Sequence, residues 1–211
     1  MARTFSHWTP QYLFDRAKEK LYRRRHPGLP WFTPQAIDFL QKYLLSTDVG
    51  LEFGSGRSTL WFARRTRHLT SVEHNANWAT EVRARLQVTS LENVDLILAP
   101  KPEDANPDID QTEYVSVTGR FAPASLDFVI VDGIYRAHCA LRSIPLLKPQ
   151  GMLIIDNVNK ALPSNSISPN SRSVAEGPDG EVWAQVWQQI EPWRRYWTSN
   201  GVADTAIFFK P

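Results

Sequence analysis

The chain has 211 residues, 42% of them hydrophobic and 22% charged, a size and balance that suit one large globular domain and exclude a disordered or low-complexity polypeptide. With 24 Lys and Arg against 22 Asp and Glu, the formal charge is only +2, so composition predicts no nucleic-acid partner, and no apolar run approaches the roughly 20 residues of a membrane span. Cys139 is the only cysteine, which excludes an intrachain disulfide and leaves any metal site to oxygen and nitrogen ligands.

The amino terminus mixes charges and aromatic rings where an export signal needs an unbroken apolar stretch, and a cytoplasmic location is the expectation. From Thr9 to Arg25 the chain reads as an amphipathic helix carrying Tyr12, Leu13, Arg16, Leu21 and Tyr22, closed by the His-Pro-Gly-Leu-Pro run at 26–30. Residues 1–30 are thus expected to form a helical appendage to a main domain over 31–211. Arg23, Arg24 and Arg25 read as a solvated cluster at the helix end. A second helix is expected after Thr33, which can cap it, and Pro34, which can take the first helical position; Ile37, Leu40, Tyr43 and Leu44 share one side.

From there strands and helices alternate. Strands are expected at 49–53, 69–73, 94–99, 126–132 and 151–157, with helices at 57–66, 76–87 and near 136–147. Strands that are apolar on both faces and separated by helices indicate a parallel sheet covered on both sides, the doubly wound α/β architecture. The last third departs from the alternation. A polar stretch at 159–180 leads to a helix with Val182, Trp183, Val186, Trp187 and Ile190, the two tryptophans being expected in the core. Two strand-like runs then flank Asn200 and Gly201, a hairpin signal, so the mostly parallel sheet should close on a C-terminal antiparallel pair.

The run GLEFGSGRSTLW at 50–61 carries the sharpest chemical signal, because a strand passes directly into a glycine turn and then a helix. Gly54 and Gly56 let the backbone approach a ligand, and the helix start offers unpaired N–H groups. Glu73 ends the next strand, where a carboxylate can accept hydrogen bonds from ribose hydroxyls. A dinucleotide site wants Gly or Ala at position 59 for close packing around a pyrophosphate, and Thr59 stands there. Here the chain resembles the class I S-adenosylmethionine methyltransferases, whose first motif is an acidic residue, a spacer, then GxG with a small residue following, present as Glu52, Gly54, Gly56 and Ser58. The resemblance implies a Rossmann-like domain from about Pro34 to the carboxyl terminus that binds S-adenosylmethionine. It places Glu52 near the amino-acid end of the cofactor, Gly54, Ser55, Gly56 and Ser58 under its methionine portion, Glu73 on the ribose and His74 beside the adenine.

Asp132, Asp156 and Asn157 fall at the carboxyl ends of two neighbouring strands, the edge where ligands bind in an open α/β sheet. This pattern resembles the metal-dependent O-methyltransferases of the catechol and caffeoyl type, which implies that the three residues could hold Mg²⁺, with Asp132 nearest both cofactor and chemistry. The chain departs from that pattern at the catalytic lysine, where Tyr135 stands, followed by Arg136. Arg136 could clamp an anionic substrate group or serve the fold, and His138 is read as lying outside the site. The segment 159–180 leaves the strand end beside Asp156, so a mobile cover over the acceptor is expected, with Asn165 or Arg172 selecting it. Near-neutral charge favours a small-molecule acceptor over nucleic acid or membrane. A related NAD(P)-dependent oxidoreductase, or a ligand-binding protein without turnover, remains the alternative.

Overall fold

The computed structural model describes residues 8–211, and the first part of the amino-terminal reading lies outside them. Two proline-led helices open the described chain. Helix α1 (Pro10–Arg25) is capped by the Thr9 hydroxyl, which accepts from the Tyr12 N–H, and α2 (Pro34–Tyr43) by Thr33 in the same way through Ala36. Helix α2 buries Ala36, Ile37 and Leu40, whereas α1 buries only Glu19 and leaves Leu13, Phe14 and Leu21 exposed. The apolar residues of α1 thus stay outside the core. A carboxylate takes the inward position because Arg16 and Arg23 both pair with it.

The sheet is laid down as β1 (Val49–Phe53), β2 (His68–Glu73), β3 (Val94–Leu98), β4 (Leu126–Val131), β5 (Leu147–Asp156), β6 (Arg194–Ser199) and β7 (Asp204–Phe209). Its seven strands run in the order β3-β2-β1-β4-β5-β7-β6. The first five are parallel, and β7 lies antiparallel between β5 and β6. The connecting helices are α3 (Arg57–Ala63), α4 (Ala76–Val88), the short α5 (Glu113–Ser116), α6 (Arg136–Ser143) and α7 (Glu181–Ile190). This is the doubly wound sheet with a terminal hairpin that the alternation and the Asn-Gly turn predict.

Side chains of successive strand residues point to opposite faces, and β4 shows why its run is apolar throughout. Val129 and Val131 join the core under α6 and α7 with Cys139, Ala140, Trp183, Val186 and Ile190. Phe128 and Ile130 join the opposite core under α2 and α3 with Ile37, Leu40, Trp61 and Phe62. Trp183 is buried and Trp187 packs half-buried beside it, as expected. Each fully buried side chain of this size contributes about 1.5–3 kcal/mol, so the two layers hold the sheet from both sides.

Three boundaries differ from expectation for local reasons. Helix α3 stops at Ala63, since Arg65 and Thr66 N–H groups both turn back to the Phe62 carbonyl and the chain must enter β2 at His68. Helix α6 stops at Ser143 because Pro145 cannot continue it. Strand β5 starts earlier than expected, at Leu147, and absorbs a register shift against β4 before Gly151, where a Cβ would lie 2.9 Å from the Lys148 carbonyl.

Candidate functional site

The parallel register aligns the carboxyl ends of four strands: Phe53 pairs with both Val72 and Val131, and Val131 with Ile155. The residues singled out by the motifs follow these positions, so Gly54–Ser58, Glu73, His74, Asp132, Asp156 and Asn157 are all brought to one edge of the sheet. Helix α3 starts directly from the glycine turn, on the face that α2 shares.

Glu52 sits beneath this turn, fully buried, rather than on its surface. Its Oε2 accepts from the Thr59 hydroxyl and from the Ser71 hydroxyl, both at 2.5 Å. Thr59 Oγ1 in turn accepts from the Gly56 N–H at 2.8 Å, and Ser55 and Ser71 hydroxyls lie 2.6 Å apart. Burial raises Glu52 to about 7, against the pull of the Ser58, Ser71 and Thr59 hydroxyls, with the nearby Asp132 charge adding to the rise. Its Oε1 is buried with no hydrogen-bond partner among the described residues. Glu52 thus acts here as the post on which the turn is hung, and Thr59 is the link between them.

The glycines differ in what they do. Gly54 has φ +97° and a Cβ there would lie 2.7 Å from the Gly133 nitrogen, so it lets the ends of β1 and β4 meet. A Cβ on Gly133 would fall 1.9 Å from the Tyr114 hydroxyl oxygen and 2.9 Å from the Gly54 nitrogen. Gly56 is different: a Cβ there would meet nothing closer than the Trp78 ring at 3.8 Å. Of the two glycines in the motif, only Gly56 faces space that the protein itself leaves free. Trp78 fixes the turn from α4, its indole N–H donating to the Ser55 carbonyl at 2.7 Å.

Glu73 is at the expected place, but its carboxylate is already at work. Oε1 accepts from the backbone N–H groups of His74 (2.9 Å) and Asn75 (2.7 Å), and Oε2 from that of Ser55 (3.2 Å). His74 Nδ1 lies 3.0 Å from Oε1, and its ring stands edge-on to Tyr114. Oε2 keeps one lone-pair direction free.

Arg136 decides the character of the other half of the edge. Its guanidinium donates to the Gly133 carbonyl (2.9 Å), the Asp156 carbonyl (2.6 Å), the Asp132 carbonyl (2.8 Å) and Asp132 Oδ1 (2.9 Å). It ties the ends of β4 and β5 together, with four of its five N–H groups spent on the protein itself. Burial raises the Asp132 carboxyl, with the adjacent Arg136 charge drawing it back. Asp156 is less exposed and is also raised, by burial first and then by Asp132; its oxygens accept from the Thr205 hydroxyl (2.8 Å) and the Asn157 amide (2.9 Å).

Asp132, Asp156 and Asn157 therefore do not fit Mg²⁺, contrary to the expectation. Mg²⁺ needs ionised oxygen ligands free to turn toward it. Here each Asp156 oxygen already accepts a hydrogen bond, the Asn157 amide nitrogen is turned inward onto one of them, and the Arg136 guanidinium sits on Asp132. No cluster of three His, Cys, Asp or Glu with metal-binding geometry occurs among the described residues.

His138 pairs with Asp110 at 3.0 Å, next to Arg142, as a partner of that carboxylate. The segment 159–180 is tied down rather than free. Arg172 donates to the Gly177 carbonyl and pairs with Asp179, Asn159 holds Ser171, and the buried Ser168 donates to Asp204 at 2.6 Å. Arg172 is spent inside the segment, and Asn165 lies in an open groove with Trp187 and Trp197. Ser71, Trp78 and Tyr114 are the site residues that the motifs do not reveal.

No protein-family model and no curated protein sequence matches the chain. Among solved structures it is similar to a methyltransferase-like protein from Silicibacter pomeroyi, 22% identical over 85% of this chain and 87% of that one, with a TM-score of 0.56. A Staphylococcus aureus protein assigned as a caffeoyl-CoA O-methyltransferase is 18% identical over 95% of this chain and 98% of its own, with a TM-score of 0.58. A Streptococcus mutans protein assigned as a methyltransferase, solved in complex with SAH (S-adenosylhomocysteine), is 11% identical over 82% and 94%, with a TM-score of 0.55. With its strand order, the β6–β7 hairpin and a glycine turn after β1, the chain has the fold of the class I methyltransferases.

Proposed function

We propose that this chain is an S-adenosylmethionine-dependent methyltransferase acting on a small-molecule acceptor without a bound metal. The observation that carries the reading is the Gly56 position, a turn pinned from below by Thr59 and from the side by Trp78 whose outer face is left empty. The similar Streptococcus mutans protein holds S-adenosylhomocysteine, which supports the same ligand class here.

When bound, S-adenosylmethionine supplies a methyl carbon on a sulfonium, which an acceptor lone pair takes while the C–S pair returns to sulfur and the acceptor gives up its proton. The chain's part is to bind, orient and deprotonate. Gly54, Ser55, Gly56 and Ser58 form the floor for the methionine portion. Glu73 Oε2 offers its free lone pair to a ribose hydroxyl, and the half-exposed His74 ring lies where the adenine is expected. Asp132 is the partly exposed carboxylate at the edge, and its raised affinity for a proton suits it to receive the acceptor's. Arg136 keeps that carboxylate in place and supplies the positive charge that a metal would otherwise bring.

Titration with S-adenosylhomocysteine and with NAD⁺ tests the reading. It requires binding of the first and none of the second; the reverse result would move the chain to the oxidoreductases. Failure of both to bind would leave a scaffold that has lost its cofactor.

A further inference from the structure

We infer that the cavity between α1 and the β6–β7 turn is the acceptor site, and that it takes a small molecule with a flat apolar body and one carboxylate or phosphate group. This rests on the methyltransferase reading for the word acceptor, but the cavity and its chemistry stand on their own observations. Its volume is about 540 Å³, inside the range of about 300–1,000 Å³ typical of small-ligand pockets. One wall is α1 with Leu21 and Tyr22, the base is the Leu29–Phe32 stretch, and the exposed Ile167 of the 159–180 segment stands at the mouth.

Hydrogen bonds tie this cavity to the strand ends that carry the proposed chemistry. Thr33, between the lining residues Phe32 and Pro34, donates its N–H to the Thr205 hydroxyl at 3.1 Å, and that hydroxyl donates to Asp156 Oδ1 at 2.8 Å. Arg23, on the cavity wall, is near enough to Asp132 to lower its proton affinity. Arg57 directly follows Gly56 and reaches back to the cavity rim.

The rim has one arrangement that burial does not explain. Trp31 is 55% exposed, yet its ring is flanked by two guanidinium groups, Arg23 at 4.8 Å and Arg57 at 5.6 Å from its centre. Guanidinium groups placed over an indole keep their N–H edges available for a planar or tetrahedral anion. Arg57 has no carboxylate partner among the described residues, and Arg23 shares Glu19 with Arg16. Lys18, Arg23, Arg25 and Arg57 face only Asp15 and Glu19 around this cavity, so a positive charge is left over. Two guanidinium groups held against a half-exposed indole, one of them without a carboxylate partner, and the apolar side chains of Leu21, Leu29 and Phe32 beside them suit a flat apolar molecule with one anionic group. The volume of the cavity favours a small molecule over a polynucleotide.

Calorimetry with probes of matched ring and different charge tests this: 4-hydroxybenzoate and phenyl phosphate, neutral 4-hydroxybenzyl alcohol, and cationic tyramine, each with and without saturating S-adenosylhomocysteine. The two anions should bind, and the neutral and cationic probes should bind about tenfold more weakly or not at all. Arg57→Gln and Trp31→Ala should each weaken the anions about tenfold, while Arg83→Gln, an exposed change on α4, should leave them unaltered. S-adenosylhomocysteine affinity in Trp31→Ala should match wild type. Equal binding of all four probes, anion binding unchanged in both cavity variants, or displacement of the anions by a short RNA at lower concentration would overturn the inference while leaving the cofactor reading untouched. Charge-selective, Trp31-dependent binding in a chain that does not bind S-adenosylhomocysteine would uphold the anion site and remove its role as an acceptor site.

Discussion

Replacing Thr59 by valine keeps the side-chain volume and removes one hydroxyl whose two shortest buried hydrogen bonds are one from the Gly56 N–H at 2.8 Å and one to Glu52 Oε2 at 2.5 Å. A neutral buried hydrogen bond contributes about 1 kcal/mol and one to a charged group about 1.5–3 kcal/mol, while partners left unpaired cost about 1–3 kcal/mol each. These costs overlap because Ser71 still donates to Glu52, so a loss of about 3 kcal/mol is expected for Thr59→Val. Thr59→Ser keeps the hydroxyl and should lose about 1 kcal/mol, the value of a buried methyl group. Urea unfolding measures both, and calorimetry with S-adenosylhomocysteine should show weaker binding in the valine variant, since the Gly56 turn loses its tether. A valine variant within about 0.5 kcal/mol of wild type and unchanged in affinity would refute the role given to Thr59.

Glu52 has a signed dependence on pH: the folded chain holds its proton up to about 7 while the unfolded chain releases it near 4.5. Stability should fall as pH rises through that window, by up to about 3 kcal/mol from this group, and the urea midpoints of Glu52→Gln should flatten over the same range; parallel curves would contradict it. Gly133→Ala forces a Cβ against Tyr114 and Gly54 and should cost about 2–3 kcal/mol, whereas Gly119→Ala meets nothing within 4 Å and should stay within about 0.5 kcal/mol, by thermal unfolding. Once an acceptor is in hand, turnover should be the same in excess chelator as with added Mg²⁺; activity lost to chelator and restored by the metal would refute the assignment of Arg136 as the cation of the site.

The strands and their packing were legible because a parallel sheet buried on both faces must be apolar at consecutive positions, as Phe128–Val131 are. The hairpin was legible in Asn200 and Gly201. The support beneath the glycine turn was not, since it consists of hydroxyl groups inside the core, which carry no periodic signal. A clue existed: Glu52 and Ser71 are directly paired on adjacent strands, two buried polar residues at one level of the sheet. Thr59 could be read only as a departure from the dinucleotide pattern, whereas in three dimensions it joins the loop to the strand. The Asp132, Asp156 and Asn157 pattern pointed to a metal because sequence shows ligand types and not what already occupies them. Arg136 is four residues from Asp132, and only the fold places it against Asp156 as well. Arg24 and Arg25 are exposed, as the reading of a solvated helix end expects, whereas Arg23 departs from it because the turn at 26–30 that returns Trp31 to it is invisible in a local reading.

Gly56→Val tests the cofactor reading most directly, because the protein itself leaves room for a Cβ at that position. Calorimetry of wild type and variant with S-adenosylhomocysteine, paired with their thermal unfolding, gives the comparison. The reading predicts that wild type binds, that the variant binds at least about a hundredfold more weakly, and that their unfolding midpoints agree within a few degrees. Equal affinities in the two proteins would contradict it and place the ligand elsewhere than on the turn after β1.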